Sequence, residues 1–93
     1  MQISGTVTCV LPSGQEIEIP VVQGILKHPR IESLHRLLKN PDAALKYTRE
    51  AIRIAPWQVL RKFPRQWLRT VMKETDIRPE RARALDFMLN ARQ

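Results

Sequence analysis

Hydrophobic and polar residues alternate along the first 20 positions with the period of a β-strand. Val7 and Cys9 lie on one side of a first strand, and Ile17 and Ile19 lie on the same side of a second. Segment 11–15 separates them and contains a proline and a glycine, which are typical of tight turns. The pattern therefore predicts a β-hairpin with one apolar face.

The end of this hairpin and its packing follow from two further features. We expect Pro20 to end the second strand, because proline has no N–H to donate to a strand ladder. Residues 21–26 then form an apolar connector with Gly24 as its bend. A two-stranded hairpin is marginal in water. It should either pack across the helices or pair with a second copy, so a homodimer through residues 3–19 is one prediction.

Beyond residue 26 the apolar period becomes helical, and prolines mark where helices begin. The strongest start signal is Asn40-Pro41-Asp42, which combines an N-cap, a preset first residue and an acid at the positive end of the helix. Five helices are predicted, near 29–39, 41–54, 56–62, 64–75 and 78–91.

These elements predict an α+β fold, in which an N-terminal hairpin precedes a compact bundle of four to five short helices. A chain of 93 residues is too short for two separate cores, so residues 1–93 are predicted to form a single domain. Residues 1–26 would supply the hairpin and connector, and residues 27–93 a helical body.

Charge divides the chain at the same place. All 16 Lys and Arg residues lie at or beyond Lys27, and the first 26 residues carry only Glu16 and Glu18. The helical body therefore has 16 basic against 7 acidic side chains, a formal charge of +9. An excess of this size attracts polyanions, of which nucleic acid is the most common.

Basic residues recur at helical spacing in the predicted bundle. Arg65, Arg69 and Lys73 follow one another at i, i+4 and i+8, where like charges repel by about 0.2–0.5 kcal/mol per pair. No acidic residue lies within this row, which indicates that a bound anion neutralises it. Arginine suits such an anion, because its planar guanidinium group makes bidentate contacts with phosphate. The predicted nucleic-acid contacts are Lys46, Arg49, Arg53, Arg61, Lys62, Arg65, Arg69, Lys73, Arg78, Arg81 and Arg83.

The last two predicted helices also resemble a helix-turn-helix in their spacing. Asp76 would cap the final helix, and its first arginines, Arg78, Arg81 and Arg83, would enter a DNA groove. The alternative is that the apolar residues of this helix bury its C-terminal half in the core. Trp57 and its aromatic neighbours are likewise open to two interpretations, base stacking or core packing.

The segment DAALKYTREAIRIAP is similar to the second helix of a tetratricopeptide repeat. Ala44, Ala51 and Pro56 match the small-small-proline spacing of that family, whereas Thr48 stands where it has a large aromatic residue. The similarity implies a helical hairpin at this point. It covers about fifteen residues and no second copy follows, so it does not predict a repeat protein.

The residues that usually carry catalysis are few and dispersed. Cys9 lies on the apolar side of a strand, and His28 and His35 do not have metal-ligand spacing with it. The three glycines stand alone, so no phosphate-binding loop is predicted. We therefore expect a protein without enzymatic activity, cofactor or metal.

The predicted function is a small nucleic-acid-binding regulator or accessory subunit, with DNA preferred to RNA. The alternative is an adaptor or inhibitor that binds an acidic protein through its basic helices or hairpin edge. No apolar stretch is long enough to span a membrane, and no export signal is visible. We expect a cytoplasmic location, which the single cysteine fits.

Overall fold

The structure, a computed structural model, describes residues 1–91. Two antiparallel strands, β1 (Ile3–Val10) and β2 (Glu16–Val22), form an N-terminal hairpin. The helices that follow are α1 (Ile31–Leu37), α2 (Pro41–Ile54), α3 (Trp57–Leu60), α4 (Arg65–Met72) and α5 (Pro79–Asn90). The predicted α+β class is confirmed. Residues 92 and 93, which the predicted domain includes, lie outside the described part.

The hairpin turn has the chemistry that its sequence predicts. Leu11 N–H donates to the Gln15 carbonyl, and Gly14 N–H donates to the Leu11 carbonyl, both over 2.8 Å. Gly14 has φ +91°, a conformation that a side chain would strain. The register that results pairs Val7 with Ile19 and places the apolar side chains of both strands on one face.

The prediction that Pro20 ends β2 is wrong, because the strand continues to Val22. In an extended strand, the carbonyl of one residue and the N–H two residues later point to the same edge. Here Tyr47 of α2 lies against that edge. Its hydroxyl donates to the Pro20 carbonyl over 2.6 Å and accepts from Val22 N–H over 2.8 Å. A helix side chain thus supplies partners that a third strand would otherwise provide.

The helix boundaries show what proline does at each start. Asn40 caps α2 as predicted, because its side-chain oxygen accepts from Asp42 N–H and Ala43 N–H over 2.9 and 3.2 Å. Pro79 is the first residue of α5, one residue after the predicted start at 78. Pro56 and Pro64 instead have extended backbones at the N-caps, so α3 and α4 begin one residue later than predicted.

The apolar face of the hairpin packs on α1 and α2. Val7, Cys9, Ile17 and Ile19 are buried and belong to the same hydrophobic cluster as the inner faces of the helices. In this cluster the rings of Tyr47 and Phe63 lie 6.1 Å apart, while α2 and α4 pack against each other. The hairpin packs across the helices, which is one of the two predicted arrangements. This packing does not test whether the protein also forms a dimer.

Candidate nucleic-acid interface

Arg65 and Arg69 of α4 hydrogen-bond to the C-terminal end of α5. Arg69 Nη2 donates to the Leu89 carbonyl over 2.7 Å, and Arg65 Nη1 donates to the Ala91 carbonyl over 3.4 Å. The last carbonyls of a helix have no partner within it and carry partial negative charge. α5 has no basic residue in its own last turn, so α4 supplies the cations. These two arginines are half-buried and have a structural role that their spacing did not predict.

Arg81 has the corresponding role at the C-terminal end of α2. Its Nε donates to the Ile52 carbonyl over 2.6 Å, and its Nη2 contacts the carbonyls of Ala51 and Ala55. The guanidinium group therefore faces the body of the protein, away from the position required of a groove-reading residue. Asp76 does not cap α5, since Arg78 occupies the N-cap position.

Two further predicted contacts, Arg49 and Arg53, are paired with carboxylates. Arg49 Nη2 lies 3.6 Å from Glu74 Oε2, and Arg53 Nη1 lies 3.5 Å from Glu50 Oε1. These are the ion pairs found within residues 1–91. The side chains are partly exposed, so each pair is screened by solvent and contributes little stability. Arg53 Nε also donates to the carbonyl of Asp76 over 3.1 Å.

The six remaining predicted contacts are exposed to solvent. Within the part of the chain that the structure describes, their side chains have no hydrogen bond or ion pair. They are Lys46, Arg61, Lys62, Lys73, Arg78 and Arg83. The predicted contacts thus divide into a group with internal partners and a group available to a ligand.

Three cations converge at the corner between α3 and α4. Arg61, Lys62 and Arg65 line a depression of about 160 Å³, which we call the α3–α4 depression. Trp57 and Leu89 also line it, and none of its lining residues is acidic. Positive charge therefore accumulates without a local carboxylate to neutralise it.

The aromatic residues near this corner have separate roles. Phe63 is buried, and the indole N–H of Trp67 donates to the Thr48 hydroxyl over 2.9 Å. Both pack in or against the core, as one of the two predicted interpretations requires. Trp57 is half-buried and borders the α3–α4 depression.

The C-terminal half of α5 is less buried than its sequence predicts. Leu85 and Leu89 face the core, but Phe87 is 77% exposed and Ala84 is also exposed. At 100° per residue, Phe87 lies nearly opposite Leu85 and Leu89 on the helix. The apolar residues of α5 therefore surround much of the helix, and only the side with the two leucines is buried.

A second group of basic residues borders a groove that sequence analysis missed. The groove lies between the 24–29 connector and the outer side of α2, and we call it the α2 groove. Lys27 contributes from the connector, and α2 contributes three cations, Lys46, Arg49 and Arg53, together with the carboxylate of Glu50. The useful signal was Lys27 itself, since it is the first cation after a long neutral and acidic segment.

The remaining reactive groups show no assembled site. Burial raises the pKa of the Cys9 thiol, which disfavours the thiolate form needed for nucleophilic attack. His35 Nε2 lies 3.2 Å from the Ser4 carbonyl. Residues 1–91 contain no group of three His, Cys, Asp or Glu side chains placed to hold a metal ion. Nor does any helix among them have the length and apolar character to cross a bilayer.

Comparison of the chain with protein-family models, with curated proteins and with solved structures gives no match in any of the three.

Proposed function

We propose that the protein is a non-enzymatic nucleic-acid-binding protein, a regulator or accessory subunit that holds phosphates at the α3–α4 depression. The observation that carries the proposal is the convergence of Arg61, Lys62 and Arg65 on one depression whose lining lacks carboxylates. DNA is the preferred polymer, in keeping with the sequence analysis.

The internal bond of Arg65 is compatible with this role. A guanidinium group has five N–H donors, and the contact with the Ala91 carbonyl uses one of them. The bond is long, so it restrains the side chain only weakly, and it leaves the positive charge unchanged. Arg61 and Lys62 are exposed and supply two more cations beside it.

Trp57 and the outlying cations extend the surface. Trp57 is placed beside the depression, where a base adjoining a bound phosphate would stack on its ring. Lys73, Arg78 and Arg83 are exposed and would raise the rate of association through their long-range field.

The salt dependence of binding tests this site. A fluorescein-labelled 20-bp DNA duplex is titrated with wild type and with the double variant Arg61→Ala/Lys62→Ala, at salt concentrations from 50 to 200 mM. Each phosphate contact contributes roughly −0.9 to the slope of log K against log salt. The double variant lacks two such contacts. Its affinity should therefore fall about tenfold less than that of wild type between 50 and 200 mM salt.

The matched control is Arg36→Ala/Lys39→Ala, which removes one arginine and one lysine, both exposed, from a different part of the surface. We expect it to keep the wild-type slope. Equal slopes for the two double variants would show that net charge alone causes binding. Absence of duplex binding at 50 mM salt would refute the proposal.

Two finer expectations from the sequence stay proposals here. One is a homodimer formed through residues 3–19 of the hairpin, which cannot extend to Pro20 and Val22 because the Tyr47 hydroxyl bonds to that part of the β2 edge. Light scattering during gel filtration tests it, and a monomer mass at 100 µM would refute it. A cytoplasmic location is the other, and cell fractionation tests it.

A further inference from the structure

The α2 groove is lined by apolar residues and by four cations, with one carboxylate, that of Glu50, which is paired with Arg53. Its volume is about 870 Å³, and its walls are the 24–29 connector, Leu37 and the side of α2 from Lys46 to Ile54. Ile54 is 47% exposed and Leu37 is 42% exposed. Single exposed apolar residues are ordinary on protein surfaces. Here two of them share a concave surface with the half-buried Leu26.

The cations that line the groove have N–H donors available for a ligand. Lys27 and Lys46 are exposed and have no partner among the described residues. Arg49 Nε is buried and has no acceptor within residues 1–91, while its Nη2 reaches Glu74 only at 3.6 Å. Buried donors are almost always hydrogen-bonded in folded proteins. Arg49 therefore gains a charge-assisted bond if a small rotation brings it to an incoming carboxylate.

We propose that the α2 groove binds an acidic amphipathic helix of a partner protein. Apolar side chains of that helix would cover Leu37 and Ile54, and its flanking carboxylates would pair with Lys27, Lys46 and Arg49. A helix laid in an apolar groove is a common mode of peptide recognition. A DNA duplex fits the groove less well, because its base faces are stacked inside the helix and its outer surface is mainly charged phosphate.

This interaction goes beyond the proposed nucleic-acid binding and uses different residues. The α3–α4 depression is lined by residues 57–68 and Leu89, and the α2 groove by residues 24–54. Each site can thus be changed without changing the other.

A designed peptide provides the probe. It is a fluorescein-labelled 14-residue helix with leucine at the a and d positions and glutamate elsewhere, titrated with protein at 150 mM salt and followed by fluorescence anisotropy. We expect a micromolar Kd. Ile54→Ser and Leu37→Ser should each weaken binding about fivefold, since each removes an apolar contact of roughly 1 kcal/mol. Lys27→Ala/Lys46→Ala should weaken peptide binding more at low salt than at high salt, because salt screens the lost charge interactions.

Phe87→Ser is the matched control, because Phe87 is a large exposed apolar residue that does not line the groove. We expect it to bind the peptide as wild type does, and so should Arg61→Ala/Lys62→Ala. All the substituted residues are exposed, and circular dichroism checks that each variant is folded.

Three results would overturn the inference. They are the absence of peptide binding, a Kd that neither Ile54→Ser nor Leu37→Ser changes, and equal weakening by Phe87→Ser. The inference would also be overturned if an unlabelled DNA duplex displaced the peptide that is bound to the Arg61→Ala/Lys62→Ala variant. That result would assign the groove to nucleic acid.

Discussion

Replacing Tyr47 with phenylalanine removes a single oxygen atom from the junction between the hairpin and α2. That oxygen donates to the Pro20 carbonyl and accepts from Val22 N–H, and the tyrosine side chain is fully buried. We expect Tyr47→Phe to lower the free energy of unfolding by about 2–4 kcal/mol, through two backbone groups that lose their partner.

The magnitude follows from the two groups that the variant leaves unpaired. A buried donor or acceptor without a partner costs about 1–3 kcal/mol. The ring remains in place, so its packing against Phe63 and the transfer of its apolar surface are unchanged. For a chain of this length, each kcal/mol corresponds to roughly 4–8 °C in Tm, and the variant should melt roughly 8–32 °C below wild type.

Urea denaturation followed by tryptophan fluorescence measures the change. The control is Thr8→Val, which also removes one hydroxyl from the hairpin, but from an exposed bond to Glu18. We expect that variant to stay within about 0.5 kcal/mol of wild type. If Tyr47→Phe were equally close to wild type, the hydroxyl would not hold the β2 edge and our account of Pro20 within the strand would fail.

Two further predictions concern charge and protonation. Burial raises the pKa of Tyr47 to about 12 from its ordinary value of 10.0, so wild type should keep this contribution to stability below pH 10 and lose it as pH rises from 10 to 12. The stability difference between wild type and Tyr47→Phe, measured by urea denaturation, should therefore shrink over that range, and a constant difference would contradict the assignment. Arg81→Met keeps the apolar stem but removes the donors to the end of α2, and thermal denaturation should show a loss of about 2–3 kcal/mol. Arg83→Met, at an exposed position on the same helix, should cost less than about 0.5 kcal/mol, and equal losses would refute a specific role for Arg81.

Local features of the sequence predicted the elements that local forces determine. Alternation at Val7 and Cys9 gave the buried face of β1, and Asn40 with Pro41 gave the first residue of α2. The predicted end of β2 at Pro20 was wrong, because proline and its sequence neighbours alone indicate the end of a strand. The hydroxyl that accommodates it comes from Tyr47, 27 residues later, and no local pattern reports such a contact.

The candidate site was predictable in its charge and only partly in its geometry. Helical spacing correctly grouped Arg65 and Arg69, but spacing does not show whether another helix ends beside them. Arg81 illustrates the same limit, since its carbonyl partners belong to residues 51–55. Phe87 is the reverse case, because apolar character suggested burial while the packing of Leu85 and Leu89 fixed which side of α5 faces inward.

The contact between Arg81 and α2 has a consequence for the order in which the molecule assembles. During synthesis the hairpin and α2 emerge before α5. The carbonyls at residues 51–55 therefore remain hydrated until Arg81 has been synthesised and can donate to them. The early part of the chain consequently cannot reach its final stability by itself. Premature termination before α5 would leave a fragment that lacks Leu85 and Leu89 of the hydrophobic core as well as Arg81, and such a fragment is a natural substrate for proteases.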